Sequence, residues 1–224
     1  IPHISSEIRL TGVNDRSILG ESFRILRTNL TYIFPIQKEK IAQTIIITST
    51  IKGEGKTFTA LNLSISFSIM DKKILLIGAD MRNPQLHTYL NIDKNQKGLQ
   101  DYLHNPSVDW HDIINKNCMD NSNLDILLSG IIPPNPAELL SNGRLEKLVS
   151  EAQKEYDIVI IDTAPTLLVT DTLIISHLVD TTLYVVRADF TPKKILDFSI
   201  NLSDKGKLRN MAYVINNVGS NYKG

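Results

Sequence analysis

The chain has 224 residues, 42% of them apolar and 21% charged, which suits one α/β domain with a sizeable core and excludes a disordered chain. Its 24 lysines and arginines balance 24 aspartates and glutamates, so bulk charge gives no pull toward nucleic acid or a membrane surface. Cys118 stands alone, which excludes an internal disulfide, and the histidines (His3, His87, His104, His111, His177) show no metal-ligand spacing. No run of about 20 apolar residues is present, and no signal-peptide pattern opens the chain. The start at Ile1 rather than methionine leads us to expect a piece of a longer protein.

Residues 1–19 read as irregular, with Pro2, Gly12 and Asn14-Asp15 as turn signals. From Gly20 to Phe34 the apolar residues Phe23, Leu26, Leu30 and Phe34 recur at helical spacing. Glu21, Arg24 and Arg27 fall three apart on another face of that helix, as a local ion pair or as a contact with another subunit.

Ile45-Ile46-Ile47 reads as a buried strand. A short polar loop with Gly53, Glu54 and Gly55 follows, then Lys56, Thr57 and the amphipathic stretch Phe58 to Met70. Strand, glycine-rich loop, Gly-Lys-Thr and helix form the arrangement of a phosphate-binding P-loop. Glycines let consecutive N–H groups point at a phosphate, and the helix N-terminus adds partial positive charge. In that arrangement Lys56 reaches the β- and γ-phosphates and Thr57 ligates Mg²⁺. The first position of the motif, ordinarily glycine, is Thr50.

A second strand, Ile74 to Ile77, runs into Gly78-Ala79-Asp80-Met81-Arg82. A carboxylate at the C-terminal end of a parallel strand lies at the crevice where open α/β sheets bind ligands, so Asp80 is a metal-shell candidate, with a turn or capping role as its alternative. Gly98 to Leu103 reads as a short helix, Leu124 to Leu128 as a strand, and Pro133, Pro134 and Pro136 as a rigid turn entering another helix. Arg144 to Glu155 is helical. Ile158 to Ile161 ending in Asp162 has the form of a Walker B strand, whose aspartate holds Mg²⁺ through water. Asp171 opens a helical stretch, where capping is the ordinary role. A strand at Thr182 to Val186 ends in Arg187, a helix spans Pro192 to Ser203, and a last strand runs from Met211 to Ile215. Asn216 after it either reads an adenine edge or closes a turn. The alternation of strands with helical crossovers predicts a doubly wound α/β domain, its sheet mostly parallel and flanked by helices, of P-loop NTPase type.

Several of these segments together resemble the bacterial tyrosine kinases of capsule and exopolysaccharide biosynthesis. Glu21, Arg24 and Arg27 followed by Thr28-Asn29-Leu30 resemble the family's E-x-x-R-x-x-R and T-N-L. Gly53 to Thr57 resembles its Walker A, Gly78 to Arg82 its D-x-D-x-R, and Gly98 to Leu103 its G-L-x-D-x-L. Gly130 to Leu140 carries G-x-x-P-P-N-P-x-E-L-L complete, and Asp162 to Asp171 its Walker B and the following segment. The resemblance implies a kinase domain over residues 20–224, with an oligomerisation helix at about 20–34, that uses ATP and Mg²⁺. It implies phosphoryl transfer to C-terminal tyrosines of a neighbouring subunit, with Tyr222 as a possible first acceptor. It further implies a ring of subunits joined through Glu21, Arg24 and Arg27, and a fused or separate membrane chain-length regulator at the inner face of the inner membrane. Lys56, Asp80 and Asp162 would be the catalytic residues; Phe58, Arg82, Arg187 and Asn216 would join Gly53 to Thr57 around the nucleotide; Thr57, Asp80 and Asp162 would shape the metal shell.

Ala164 stands for the first proline of the segment after Asp162, and three further positions depart from the family pattern. Thr50 and Lys52 replace residues of the loop, Lys52 standing where proline is usual, and Gly78 replaces the first aspartate of D-x-D. The second reading from another class is a P-loop ATPase switch or a nucleotide-binding scaffold without kinase activity. The partition-type ATPases place a signature lysine at the second loop position, which here is Ile51, with Lys52 one place late. On the scaffold reading, Gly78→Asp would bring activity up.

Overall fold

The computed structural model describes residues 1–3, 10–12, 15–35, 41–167 and 169–219. Tyr222 lies outside the described residues. The elements in chain order begin with helix α1 (Ile18–Ile33), strand β1 (Gln43–Ser49), helix α2 (Lys56–Ser68) and strand β2 (Ile74–Gly78). Helices α3 (Leu86–Leu90) and α4 (Leu99–His104) precede β3 (Leu124–Leu127); α5 (Pro136–Leu140) and α6 (Arg144–Glu155) precede β4 (Ile158–Asp162). Helix α7 (Asp171–Ile175), β5 (Thr181–Arg187), α8 (Leu196–Asp204) and β6 (Met211–Asn216) complete the fold.

Among the described residues six strands form one sheet in the order β3-β2-β4-β1-β5-β6, with every pairing parallel. The expected doubly wound α/β sheet is therefore present, and it is all-parallel rather than mostly so. Parallel sheets bury both faces, and β1 reads accordingly: Thr44 to Ser49 are all buried. Ile45 and Ile47 pack with α1 and α2 on one face, while Ile46 packs with α4, α5, α6 and α7 on the other. Each fully buried isoleucine stabilises the fold by about 1.5–3 kcal/mol.

Several boundaries differ from expectation for identifiable reasons. Helix α1 starts two residues early because Ser17 caps it, its Oγ accepting from Gly20 N at 3.2 Å. It ends before Pro35, as the residue preceding proline is pushed out of the helical region. Helix α2 begins at Lys56, not at residue 58, because Gly55 adopts a left-handed conformation (φ 98°) and turns the loop straight into the helix. The 192–203 stretch divides into a 3₁₀ turn at Lys193–Ile195 and α8. The N-terminal segment is tied down at its start: Ile1 donates its amino group to Ile215 O at 2.8 Å, and Pro2 bridges Val218.

Candidate active site

The strand C-termini converge through the ladder register. Asp162 at the end of β4 lies opposite Ile47 of β1 on one side and Gly78 of β2 on the other. The phosphate loop after β1, the turn after β2 and the end of β4 therefore meet at one edge of the sheet. That edge is where open α/β sheets bind ligands.

The loop's shape follows from its glycines. Gly53 and Gly55 have φ of 91° and 98°, a region that side chains disfavour. Thr50, by contrast, is not among the positive-φ residues, so glycine is not required there. Its hydroxyl instead accepts from Tyr184 Oη at 3.0 Å, and Tyr184 also meets Thr166 Oγ1 at 2.7 Å, a buried trio beneath the loop. Gly55 provides no side chain to cap α2, a 13-residue helix whose first N–H groups face the loop.

Three groups gather at the loop's mouth. Thr57 Oγ1 donates to Asp162 Oδ2 at 2.7 Å, and Asp162 is only 2% exposed. Its other oxygen, Oδ1, is buried with no hydrogen-bond partner among the described residues. Burial pushes the Asp162 carboxyl up to about 7; Lys56 and the Thr57 hydroxyl pull it back, and Asp80 pushes it further. Asp80 is likewise raised by burial and opposed by Lys56, and Asn83 N donates to its Oδ1 at 3.0 Å. A buried carboxylate oxygen without a donor, beside a threonine hydroxyl and a second carboxylate, is an oxygen-rich set that fits a hard divalent cation. Thr57, Asp162 and Asp80 are the residues that would hold Mg²⁺. A bound Mg²⁺ would supply charge neutralisation for phosphate oxygens.

The remaining sequence candidates divide in two. Phe58 turns its ring edge-on to Phe23 of α1, 5.9 Å between centroids, so its side chain serves the core and only its backbone is left for a nucleotide. Arg82 is committed to Asp171: Nε–Oδ2 is 2.7 Å and Nη2–Oδ1 is 3.0 Å. Asp171 is thus not a helix cap, since Thr170 holds that position, but the buried partner of a bidentate guanidinium. Arg187 Nη1 donates to Gly53 O at 3.1 Å while its guanidinium lies over Phe190, 5.0 Å from the ring centroid. Asn216 Nδ2 donates to Glu54 O at 3.0 Å. Glu54 is fully buried, and its carboxylate accepts from Ile51 N at 2.7 Å and from the Thr191 hydroxyl. Lys52, the departure at the loop, donates to Asn83 Oδ1 at 3.0 Å and so joins the loop to the turn bearing Asp80.

Glu21, Arg24 and Arg27 lie on α1, away from this edge. Arg24 pairs with Glu21 at 2.7 Å, and Arg27 donates to Ser66 O of α2. Sequence reasoning missed Thr191, Ser129 and the Arg82–Asp171 pairing. None has a local signature; Ser129 matters because its hydroxyl donates to Gly78 O at 2.8 Å and fills the space beside that glycine.

Strand, glycine-bearing loop, Lys-Thr helix start and a buried terminal aspartate define a P-loop domain. The chain matches the AAA domain family over residues 42–190. It is 38% identical over 179 residues to the tyrosine-protein kinase YwqD of Bacillus subtilis, covering 80% of this chain and 73% of that protein. It is 36% identical over 212 residues to a putative tyrosine-protein kinase in the cps region of Klebsiella pneumoniae, covering 95% of this chain but 28% of that protein. Against the kinase domain of the Escherichia coli tyrosine kinase ETK the TM-score is 0.81, at 29% identity, over 92% of this chain and 78% of that one. The chain belongs to this P-loop AAA family and, within it, to the bacterial tyrosine-protein kinases. Among the described residues no helix is long and apolar enough to cross a membrane.

Proposed function

We propose that the chain transfers the γ-phosphoryl group of ATP, with Mg²⁺, to tyrosine hydroxyls. The observation that carries this reading is the Thr57–Asp162 contact with an unpartnered Asp162 oxygen at the mouth of the loop, next to Lys56 and Asp80. Lys56 binds and orients the phosphates, and the loop N–H groups and the start of α2 hold them in place. Asp162 and Asp80 position the metal shell. In this reading Asp80, the remaining carboxylate of the Gly78-Ala79-Asp80 segment, also accepts the tyrosine proton. Phosphoryl transfer depends mostly on such positioning and charge stabilisation.

The kinship supports acceptor tyrosines on the C-terminal segments of neighbouring subunits, Tyr222 among the candidates, and a role in regulating capsular or exopolysaccharide synthesis and export. It supports a membrane chain-length regulator, fused or separate, as partner and a place at the inner face of the bacterial inner membrane. Self-association in a ring is favoured by α1, which exposes Ile18, Ile25 and Tyr32 at seven-residue intervals beside Glu21 and Arg24. Nucleic acid is not among the partners proposed, since the charge is balanced.

A second reading, a nucleotide-binding switch or scaffold, rests on one observation: position 78 has no carboxylate. One experiment separates the two. The chain is incubated with Mg-ATP, and phosphotyrosine is sought by mass spectrometry, with Lys56→Met as control. Phosphotyrosine in the parent and none in Lys56→Met is the expected result. Phosphotyrosine that persists in Lys56→Met sinks the assignment, and bound nucleotide without phosphotyrosine favours the scaffold.

A further inference from the structure

The carbonyl side of the phosphate loop is braced from the C-terminal ends of β5 and β6. Arg187 holds Gly53 O, Asn216 holds Glu54 O, and Arg187 and Asn216 are themselves ladder partners. A third tether runs through the side chains of Thr191 and Glu54. Arg187 N donates to Thr191 Oγ1 at 2.8 Å, the Thr191 hydroxyl donates to Glu54 Oε1, and Glu54 Oε2 accepts from Ile51 N at 2.7 Å. A buried carboxylate inside a loop built to receive phosphates is an electrostatic conflict unless its charge is held inward by donors. Here the donors are one hydroxyl and one amide.

We propose that Thr191 is a positioning residue for nucleotide binding: through Glu54 it sets the orientation of the phosphate loop and keeps the Glu54 charge turned away from the phosphates. This rests on the nucleotide-binding reading given above. Gly53 and Gly55 leave the loop's backbone the most permissive stretch of the site, so its shape depends on outside tethers. The Thr191 tether is the one that a near-isosteric substitution removes, with the loss of the acceptor for Arg187 N beside it. Thr191→Val leaves a buried carboxylate oxygen without its donor and frees Glu54 to swing toward the phosphates. Thr191→Ser keeps the hydroxyl.

The test is ADP affinity by calorimetry on the whole chain, with the unfolding temperature of the nucleotide-free protein measured beside it. Thr191→Val should bind ADP about tenfold more weakly, the scale expected when a buried acceptor loses its donor, and Thr191→Ser should bind as the parent does. A purely structural role would lower the unfolding temperature and leave the affinity of the folded protein unchanged. That result overturns the inference. Should Thr191→Val fail to fold, hydrogen exchange on the unmutated, nucleotide-free chain decides. The Ile51 amide should be strongly protected, and exchange as fast as an unbonded amide overturns the inference. A parent chain that binds no ADP at all overturns the nucleotide reading and this inference with it, whereas normal binding by Thr191→Val overturns the inference alone.

Discussion

At residue scale, two positions bear on the proposed chemistry. Asp162 is buried between β1 and β2, and its carboxyl rises from an ordinary 3.8 to about 7. The folded metal-free chain therefore holds a proton between about pH 4 and about pH 7 that the unfolded chain has released. Stability from this group falls as pH rises through that window and is level above it. A divalent cation must displace that proton. Mg-ADP affinity should accordingly climb with pH, by up to tenfold per unit below about 7, and flatten above. Calorimetry across that range reads it; an affinity flat in pH would mean that Asp162 is not the metal's carboxylate. Gly78 is the other position. A Cβ there would lie 2.9 Å from Ser129 Oγ, 3.0 Å from Leu86 Cδ1 and 3.2 Å from Ser129 N. Gly78→Asp should therefore cost about 1–3 kcal/mol of stability through overpacking and give no gain in phosphotyrosine. This is the opposite of what the scaffold reading expects of the substitution. Thermal unfolding and phosphotyrosine yield test it together, and a stable, more active variant would refute it.

At the scale of elements, the candidate site depends on ties made by residues that hold no ligand themselves. The Arg82–Asp171 pair joins the turn after β2 to the start of α7, and thereby steadies the turn whose Asn83 amide holds Asp80. Asp171 is 2% exposed on its side chain and Arg82 is 43% exposed. Removing the exposed partner leaves the buried carboxylate without its bidentate donor. Arg82→Ala should lower unfolding stability by about 1–3 kcal/mol, toward the lower end because water reaches the guanidinium. The pair Arg82→Met with Asp171→Leu should recover part of that loss, since no buried charge then lacks a partner. Denaturant titration of the three proteins reads both effects. The Lys52–Asn83 contact is a weaker tie of the same kind, exposed and made by a residue specific to this loop.

At the scale of the molecule, the strand order β3-β2-β4-β1-β5-β6 puts the loop after β1 between two sources of support. The end of β4 and the turn after β2 bring carboxylates to the side where the proposed Mg²⁺ would sit, and β5 and β6 bring hydrogen-bond donors to its outer side. The amino-acid sequence by itself determined the loop, the strand that ends in Asp162, the helical crossovers and the family. All of these are written in short windows of residue type and spacing. Only the tertiary structure decided what Arg82, Glu54 and Asn216 touch, and what fills the space beside Gly78. Those partners are separated along the chain by 89, 137 and 162 residues for the Asp171, Thr191 and Asn216 contacts. Parallel strands joined by crossovers bring such residues together through the order and register of the sheet, a property of the packed core rather than of any local stretch.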